Sequence, residues 1–274
     1  MKVGLVGCGA IGATLARAII NGEAGDCILI AVCDVREEKM IKLRDELSMP
    51  ELFITTDVNE LLSRKDVELV IEAASQRVIQ DIGEKVLSAG KNMVIMSVGA
   101  LSDLELLNRL KDLAKERGVN VFIPSGAICG IDGVKSASVG GLSRVEIRTT
   151  KHPHSLEGAP YLIENNIDLS ELTSPLVVFK GSAKDAARGF PMNVNVAVTL
   201  SLAGIGVEKT IVTIVADPDS KRTKHEIFAE GEFGKMTSCV ENLVHPKNPK
   251  TSYLSALSVI RTLKKITEVI QIGT

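Results

Sequence analysis

Three glycines near the N-terminus have the spacing of a phosphate-binding loop. The segment Gly7-Cys8-Gly9-Ala10-Ile11-Gly12 directly follows the apolar run Lys2–Val6 and leads at once into a helical pattern. In such a loop the first glycine permits a tight turn, the second lets the backbone approach a pyrophosphate, and the third lets helix and strand pack closely. The helix N-terminus then offers free N–H groups to the phosphates. The segment therefore predicts a dinucleotide-binding site.

An acidic residue after the second apolar run indicates which dinucleotide binds. Asp34 follows Ile28–Cys33, twenty-two residues after Gly12. A carboxylate at this place accepts hydrogen bonds from the adenosine ribose hydroxyls and repels a 2′-phosphate, which favours NAD. Arg36 lies two residues further on and could hold a 2′-phosphate, so the sequence also allows NADP.

Small residues follow two later apolar runs, in Ala73-Ala74-Ser75 and Ser97-Val98-Gly99. The nicotinamide half of a dinucleotide lies at the carboxyl ends of such strands, where small side chains let a ring approach the backbone. Small residues also suit tight turns, and the sequence does not separate the two explanations. We predict cofactor contacts at Ala74, Ser75 and Ser97.

Four histidines are candidates for proton transfer: His152, His154, His225 and His245. Histidine is the usual proton carrier near neutral pH. His152 and His154 flank a proline in a predicted loop, and His225 stands where a polar loop enters a strand. Taken singly, each is more often a surface or structural histidine than a catalytic one.

Two further segments carry polar groups at the start of helical patterns. Asn193 and Asn195 precede an apolar helix, where an amide could cap the helix or hold the carboxamide of nicotinamide. The segment Asn248-Pro249-Lys250-Thr251-Ser252 offers a cation, two hydroxyls and a helix start, which suits a carboxylate. An ordinary helix cap would have the same composition, so both interpretations stay open.

Residues 1–123 alternate short apolar runs with amphipathic segments. The runs are rich in β-branched side chains, as in strands buried on both faces. They are Lys2–Val6, Ile28–Cys33, Leu69–Glu72, Met93–Met96 and Val119–Ile123. Helical patterns occupy Ala10–Ile20, Glu37–Leu47, Val78–Leu87 and Asp103–Lys115, and Asp57 is placed to cap a short helix at Val58–Leu62. Repeated β-α-β units predict a Rossmann domain with a parallel sheet.

The pattern changes after the last of these runs. Pro124–Gly133 contains three glycines and predicts a loop or hinge. The alternating runs beyond it predict an α+β domain with a mostly antiparallel sheet. We therefore predict an α/β chain with a Rossmann domain at 1–123, an α+β catalytic and dimerisation domain at 124–250, and a C-terminal helix and strand at 251–274 whose docking the sequence does not reveal.

Composition argues against several classes of partner. The 274 residues carry a net charge of −2 without a basic block, so neither nucleic acid nor an anionic membrane is expected. The five cysteines include no C-x-x-C pair, which argues against a disulfide framework or a zinc site, and no metal is predicted. The N-terminus begins with a strand pattern rather than a signal peptide, and the apolar runs are short, so we expect a soluble cytoplasmic protein.

The motifs, taken in order, resemble the L-aspartate dehydrogenase family of NAD(P)-dependent enzymes, which oxidise aspartate to iminoaspartate. The match covers nearly the whole chain. The glycine loop is generic to Rossmann enzymes, whereas the later motifs in this order are specific. They are Ser97-Val98-Gly99-Ala100, Pro124-Ser125-Gly126-Ala127-Ile128, Asn195-Val196-Ala197, Ala216-Asp217-Pro218 and Asn248-Pro249-Lys250-Thr251-Ser252.

The resemblance implies cofactor contacts at Ala127 and Asn195 and a catalytic role for His225, thirty residues beyond that asparagine. It also implies L-aspartate as substrate, a product that feeds NAD biosynthesis, and a homodimer. A base with a pKa near 7 suits removal of the amine proton.

The two carboxylates of such a substrate need cations or N–H donors. The first choice is Lys250 with Thr251 and Ser252, and the second is Lys151 with His152. Two alternatives remain at this stage. A related reductase, of the dihydrodipicolinate reductase or homoserine dehydrogenase type, would need different motifs in the second domain. A non-enzymatic NAD-binding sensor would need neither His225 nor a dicarboxylate site.

Overall fold

The computed structural model describes residues 1–245 and 248–274, and the side chains of all of these except residues 245 and 248–250. The chain divides into two compact units. The first comprises Met1–Pro124 and Ala256–Ile272, and the second comprises Ser125–Ser255 and Gly273–Thr274. Each unit is built around its own sheet, and the α/β class predicted for the chain is confirmed.

The first unit alternates strands and helices as the sequence predicts. Its strands are β1 (Lys2–Val6), β2 (Ile28–Cys33), β3 (Phe53–Thr55), β4 (Leu69–Glu72), β5 (Asn92–Ile95) and β6 (Val121–Phe122). Its helices up to the boundary are α1 (Ala10–Ile20), α2 (Glu37–Glu46), α3 (Val58–Ser63), α4 (Gln76–Ser88) and α5 (Leu104–Arg117), with a 3₁₀ helix at Val98–Ser102. The strands are parallel in the order β3-β2-β1-β4-β5-β6, which is that of a Rossmann fold.

Local sequence explains where these elements begin. The predicted cap at Asp57 is confirmed, because its carboxylate accepts the N–H of Asn59 at 2.8 Å. The four residues of β4 are all buried, as expected for a strand covered by helices on both faces. The reversal of strand order between β1 and β4 creates the crevice in which this fold binds its ligands.

The second unit is an α+β structure. Its strands are β7 (Leu142–Lys151), β8 (Leu176–Ser182), β9 (Ile211–Ala216), β10 (Thr223–Gly231), β11 (Gly234–Asn242), β12 (Val244–His245) and β13 (Asn248–Ser252). Its helices are α6 (Ile131–Val139), α7 (Pro160–Glu164), α8 (Ala183–Gly189) and α9 (Asn195–Ala203), with a 3₁₀ helix at Pro153–Ser155. The main sheet has the order β11-β10-β7-β9-β8, in which β7 and β9 are parallel and the other pairs are antiparallel. The predicted, mostly antiparallel sheet is confirmed.

The structure corrects two details of the second unit. The predicted loop Pro124–Gly133 is too long, because α6 begins at Ile131 after Gly130, whose φ of +87° turns the chain. The glycines that suggested a loop thus include one that starts a helix and one, Gly133, inside it. His225 was expected before a strand, but it lies within β10.

The C-terminal segment also differs from the expectation. The chain ends with helix α10 (Tyr253–Thr267), and the predicted strand after it is wrong, since the described residues 268–274 form none. Helix α10 packs against the Rossmann unit, a placement that the sequence left open. Val259 and Leu263 enter its apolar core, and the Thr267 hydroxyl accepts the N–H of Asp26 at 3.2 Å.

Three further observations concern the described part of the chain as a whole. No helix in it combines the length and apolar character needed to cross a bilayer. Its histidines, cysteines and acidic residues form no group of three or more that could hold a metal ion. The five cysteines are free thiols.

Candidate active site

The glycine loop has the geometry that a bound pyrophosphate requires. Gly7 has a φ of +98°, and a Cβ on it would lie 2.6 Å from the carbonyl oxygen of Ala73. A Cβ on Gly12 would lie 1.9 Å from the carbonyl oxygen of Gly7, so neither position accepts a side chain. A Cβ on Gly9 would meet no protein atom within 4 Å. The gap at Gly9 is the place where a cofactor can approach the backbone.

The N-terminus of α1 is free of competing protein groups. Its cap residue is Gly9, which has no side chain to accept a hydrogen bond from the helix, and the first turn contains no acidic residue. The N–H groups of Ala10, Ile11 and Gly12 therefore have no intrahelical partner, and they lie at the positive end of the helix dipole. These residues fit the diphosphate of a dinucleotide.

Asp34 is held next to this loop. One carboxylate oxygen accepts the N–H of Cys8 at 2.7 Å, and the other accepts the N–H of Arg36 at 3.0 Å. Each oxygen keeps a lone pair that can accept a ribose hydroxyl. The Arg36 guanidinium lies 3.8 Å from the carboxylate and is largely exposed. The site thus contains both groups that bear on the choice between NAD and NADP.

A buried carboxylate that the sequence analysis missed lies at the end of β4. Glu72 has no exposed surface, and it accepts four hydrogen bonds from residues 74, 96 and 97. The predicted cofactor residues Ala74 and Ser97 both contribute to these bonds, so the Ser97 hydroxyl is committed to Glu72. Ser75 instead caps α4 through a hydrogen bond from the N–H of Val78. The only sequence signal for Glu72 is an acid that closes an apolar run.

In the second unit, His225 and Lys151 lie on the buried face of the sheet. His225 is 3% exposed, and its Nδ1 lies 2.9 Å from Oγ1 of Thr149, its partner in the pairing of β10 with β7. Lys151 is two residues beyond Thr149 on the same face and is 9% exposed. The Lys151 ammonium donates a hydrogen bond of 2.6 Å to Oδ1 of Asn193.

Electrostatics couples these two side chains. Burial lowers the pKa of Lys151 to about 8. Burial, and then the positive charge of Lys151, lower the pKa of His225 to about 3. A base with a pKa near 7 was expected from the sequence, and the pKa of His225 is lower because the imidazole is enclosed and has a cation nearby. At neutral pH the histidine is neutral and can accept a proton.

Two more predicted residues, Ala127 and Asn195, are positioned by neighbours within the second unit. The Ala127 carbonyl accepts a 2.9 Å hydrogen bond from the buried amide of Asn242, which sequence reasoning missed. Asn195 is the first residue of α9, and the cap position is taken by Val194, without a side-chain hydrogen bond. The sequence allowed either Asn193 or Asn195 to cap this helix, and both possibilities are wrong. The amide oxygen of Asn193 instead accepts a hydrogen bond from Lys151.

The remaining substrate candidates differ in how the structure describes them. His152 is exposed, and its ring nitrogen accepts the N–H of His154 at 3.3 Å, so it acts as a local cap rather than a partner of Lys151. Thr251 and Ser252 end β13, and the hydrogen bonds described for His225 and Lys151 do not involve them. The side chain of Lys250 lies outside the described residues.

Comparison with known proteins relates this arrangement to a family. A family model described as "Aspartate dehydrogenase, C-terminal" matches residues 132–266, and one described as "Homoserine dehydrogenase, NAD binding domain" matches residues 7–124. Two proteins named L-aspartate dehydrogenase, from Methanococcoides burtonii and Methanosarcina mazei, are 47% and 48% identical to the chain, with 100% of both sequences covered. The chain belongs to the L-aspartate dehydrogenase family. The crystal structure of aspartate dehydrogenase from Thermotoga maritima matches with a TM-score of 0.79 and 29% identity, covering 100% of this chain and 99% of that one.

Membership of a dehydrogenase family makes the glycine loop directly testable. Gly9→Ala should leave the melting temperature unchanged, because φ at Gly9 is −71° and its Cβ would meet open space. It should nevertheless weaken NADH binding on the order of tenfold, since the methyl group occupies the approach of the pyrophosphate. Fluorescence titration and thermal unfolding measure the two effects.

Gly12→Ala is the contrasting variant. Its Cβ would overlap the Gly7 carbonyl oxygen, so we expect a loss of at least about 1–3 kcal/mol in the free energy of unfolding together with weaker binding. If Gly9→Ala bound NADH as well as the wild type, the assignment of this loop to the pyrophosphate would be wrong.

Asp34 should determine cofactor preference in this dehydrogenase. Asp34→Asn removes the charge that repels a 2′-phosphate and weakens an acceptor for the ribose hydroxyls. A hydrogen bond to a charged group contributes about 1.5–3 kcal/mol, so the ratio of kcat/KM for NAD to that for NADP should fall roughly 10- to 100-fold. Arg36→Ala should act in the opposite direction, lowering NADP use alone. An unchanged ratio in Asp34→Asn would remove Asp34 from the ribose site.

Proposed function

We propose that this chain is an L-aspartate dehydrogenase that oxidises L-aspartate to iminoaspartate with NAD as the preferred cofactor. The observation that carries the proposal is the buried pair of His225 and Lys151. The pair combines a neutral proton acceptor with a cation for a carboxylate. Spontaneous hydrolysis of iminoaspartate gives oxaloacetate and ammonia.

Lys151 is suited to bind a carboxylate of the substrate. Its ammonium has three N–H donors, and one of them binds Asn193. Within the described residues no carboxylate forms an ion pair with it, and desolvation alone accounts for its lowered pKa. A buried cation without a counter-ion is costly, and an anionic ligand removes that cost. We therefore assign Lys151, the second choice from sequence, as the carboxylate site.

His225 is suited to take the proton from the substrate amine. In the tautomer in which Nδ1–H donates to Thr149 Oγ1, 2.9 Å away, Nε2 is the acceptor, and we assign this tautomer to the reactive site. A carboxylate bound to Lys151 offsets its positive charge and so raises the pKa of His225. The substrate ammonium enters the same desolvated surroundings, which lower its own pKa. Both changes favour transfer of the proton from the amine to His225.

The cofactor fits the first unit through the open backbone at Gly9, the free N–H groups of α1 and the Asp34 carboxylate. When bound, the nicotinamide takes the hydride that leaves Cα of the substrate. We assign Ala127 and Asn195 as further cofactor contacts by family membership. NAD is preferred over NADP because Asp34 is the buried, fixed group and Arg36 is the exposed one.

A spectrophotometric assay tests the proposed reaction. Purified protein with L-aspartate and NAD should form NADH, and D-aspartate, L-homoserine and L-alanine should give little or none. A signal with homoserine but not with aspartate would favour the homoserine dehydrogenase alternative. NADH binding without turnover of any amino acid would favour a sensor.

We also propose that the enzyme is a cytoplasmic homodimer whose product enters NAD biosynthesis. Family membership supports these assignments, and the five free thiols are consistent with a reducing compartment. Light scattering coupled to size-exclusion chromatography would give twice the mass of 29.3 kDa if the dimer assignment is right.

A further inference from the structure

We propose that Glu72 is a positioning residue that fixes the two loops on the nicotinamide side of the Rossmann unit in one arrangement. Glu72 ends β4, next to the point where the strand order reverses, and it is completely buried. It cannot touch the cofactor from there, so any influence on the cofactor must pass through the loops it binds.

The contacts of Glu72 join two loops that follow neighbouring strands. Oε1 accepts the N–H of Ala74 and the hydroxyl of Ser97, both at 2.8 Å. Oε2 accepts the N–H of Ser97 at 2.9 Å and that of Met96 at 3.2 Å. Ala74 follows β4 and the other two follow β5, so one side chain links the carboxyl ends of both strands.

The donor set suits an ionised carboxylate. All four partners donate, and an ionised carboxylate is the side chain that only accepts, through two oxygens. Burial raises the pKa of Glu72, while these hydrogen bonds act in the opposite direction. An apolar residue, such as its neighbours Val70 and Ile71, would fill the end of this strand without burying a charge. It would, however, leave the loop donors that now bind Glu72 without this acceptor, so the acid serves to hold the two loops.

The position of Glu72 in the fold indicates which part of the cofactor its hydrogen bonds to the loops affect. In a Rossmann fold the carboxyl ends of these strands lie beside the nicotinamide half of the cofactor, whereas Gly9 and Asp34 serve the pyrophosphate and the adenosine ribose. The N–H of Ala74 is bound to Glu72, and its small, exposed side chain remains available to face a ring. Glu72 should therefore affect binding of the nicotinamide and not of the adenosine half.

Comparing two ligands separates this role from a general structural one. NADH contains the nicotinamide, and ADP-ribose lacks it but keeps the remaining contacts. Glu72→Gln replaces one carboxylate oxygen, which accepts hydrogen bonds, with an amide NH₂ group, which donates them. At least one hydrogen bond to the loops is therefore lost. We expect NADH to bind about tenfold more weakly, and ADP-ribose to bind within about twofold of the wild type, by calorimetry.

Two further variants serve as backup and control. Ser97→Ala removes one hydrogen bond but keeps the carboxylate, so it should shift the ratio of the two dissociation constants in the same direction by a smaller factor. This variant carries the test if Glu72→Gln does not fold.

Lys91→Met is the control, because it removes another buried polar group, at the opposite end of β5. The Lys91 ammonium donates to the carbonyls of Arg64 and Val67 at 2.7 and 2.8 Å. This variant should lower the melting temperature without changing that ratio.

The outcomes distinguish this inference from the proposed function on which it rests. An equal loss of NADH and ADP-ribose binding, or no loss of either, in the folded Glu72 and Ser97 variants would overturn the role of Glu72. A wild-type protein that binds neither ligand would instead overturn the assignment of the dinucleotide site. A selective loss of NADH binding that Lys91→Met does not reproduce would support the positioning role.

Discussion

Replacing His225 with asparagine should remove most of the turnover and leave the fold and cofactor binding intact. Asparagine retains an amide atom near the position of Nδ1, so the hydrogen bond to Thr149 can persist, but it has no counterpart of Nε2. Loss of a general base lowers the rate about 10²- to 10⁴-fold, and we expect that loss in kcat with L-aspartate. Steady-state kinetics, NADH titration and thermal unfolding together measure these effects.

Two comparisons make this result specific. His154→Ala should retain full activity, because His154 is exposed and its ring lies 2.9 Å from the Glu157 carboxylate. Thr149→Val should reduce kcat less than His225→Asn, since the base remains but the partner that orients its ring is lost. Near-normal turnover in His225→Asn would exclude His225 as the proton acceptor.

The candidate dinucleotide site could be predicted from the sequence because its parts lie close together along the chain. The glycine loop, the helix it starts and the acid after β2 all fall within the first 34 residues. Each part has its own local signal, such as glycine spacing, an apolar run or an acid directly after a strand. The structure adds a contact that these signals did not predict, a hydrogen bond from the N–H of Cys8 to Asp34.

The histidine–lysine pair was not accessible in the same way, because it depends on the pairing of distant strands. The sequence analysis grouped Lys151 with its neighbour His152, but successive residues of a strand face opposite sides of the sheet. The partner that we propose for Lys151 is His225, and the register that pairs His225 with Thr149 places it two residues from Lys151 along the neighbouring strand. Alternation along β7, with Val145 and Ile147 buried, was the signal that could have placed Lys151 on the inner face.

Glu72 shows a second limit of sequence reasoning. An acid at the end of an apolar run is normally a residue where a strand reaches solvent, and composition gives no reason to expect it buried. Its burial results from two loops that fold over it and supply four donors. The small residues of those loops were recognised as significant, but the group that fixes them was not.

Lys151→Met should give a protein that is nearly inactive and yet more stable than the wild type. Methionine has similar length and no charge, so the carboxylate of the substrate loses its partner. Removing one member of a buried charge pair costs about 2–5 kcal/mol in binding, so kcat/KM for aspartate should fall roughly 30-fold or more. Succinate, a dicarboxylate that cannot react, should inhibit the wild type well and the variant poorly.

The pH dependence of succinate inhibition identifies Lys151 as the binding group. The Lys151 ammonium is charged below its pKa of about 8 and neutral above it. Inhibition of the wild type should therefore weaken as the pH rises through this range, and the weak inhibition of Lys151→Met should not change. Asn193→Asp provides the matched variant, because it keeps the cation but supplies an internal carboxylate that competes with succinate.

The gain in stability follows from the same pKa. In the folded protein the pKa is about 8, below the ordinary value of 10.5, so the folded state binds this proton less tightly than the unfolded state does. The wild type is therefore destabilised by about 3 kcal/mol below pH 8, and the penalty disappears as the pH rises to about 10.5. Chemical unfolding at pH 7 should show Lys151→Met as the more stable protein, with the difference closing at high pH. A variant that is less stable at pH 7 and still binds succinate would show that Lys151 is a structural residue, whereas the expected result would mean that the enzyme gives up stability to keep a charge ready for its substrate.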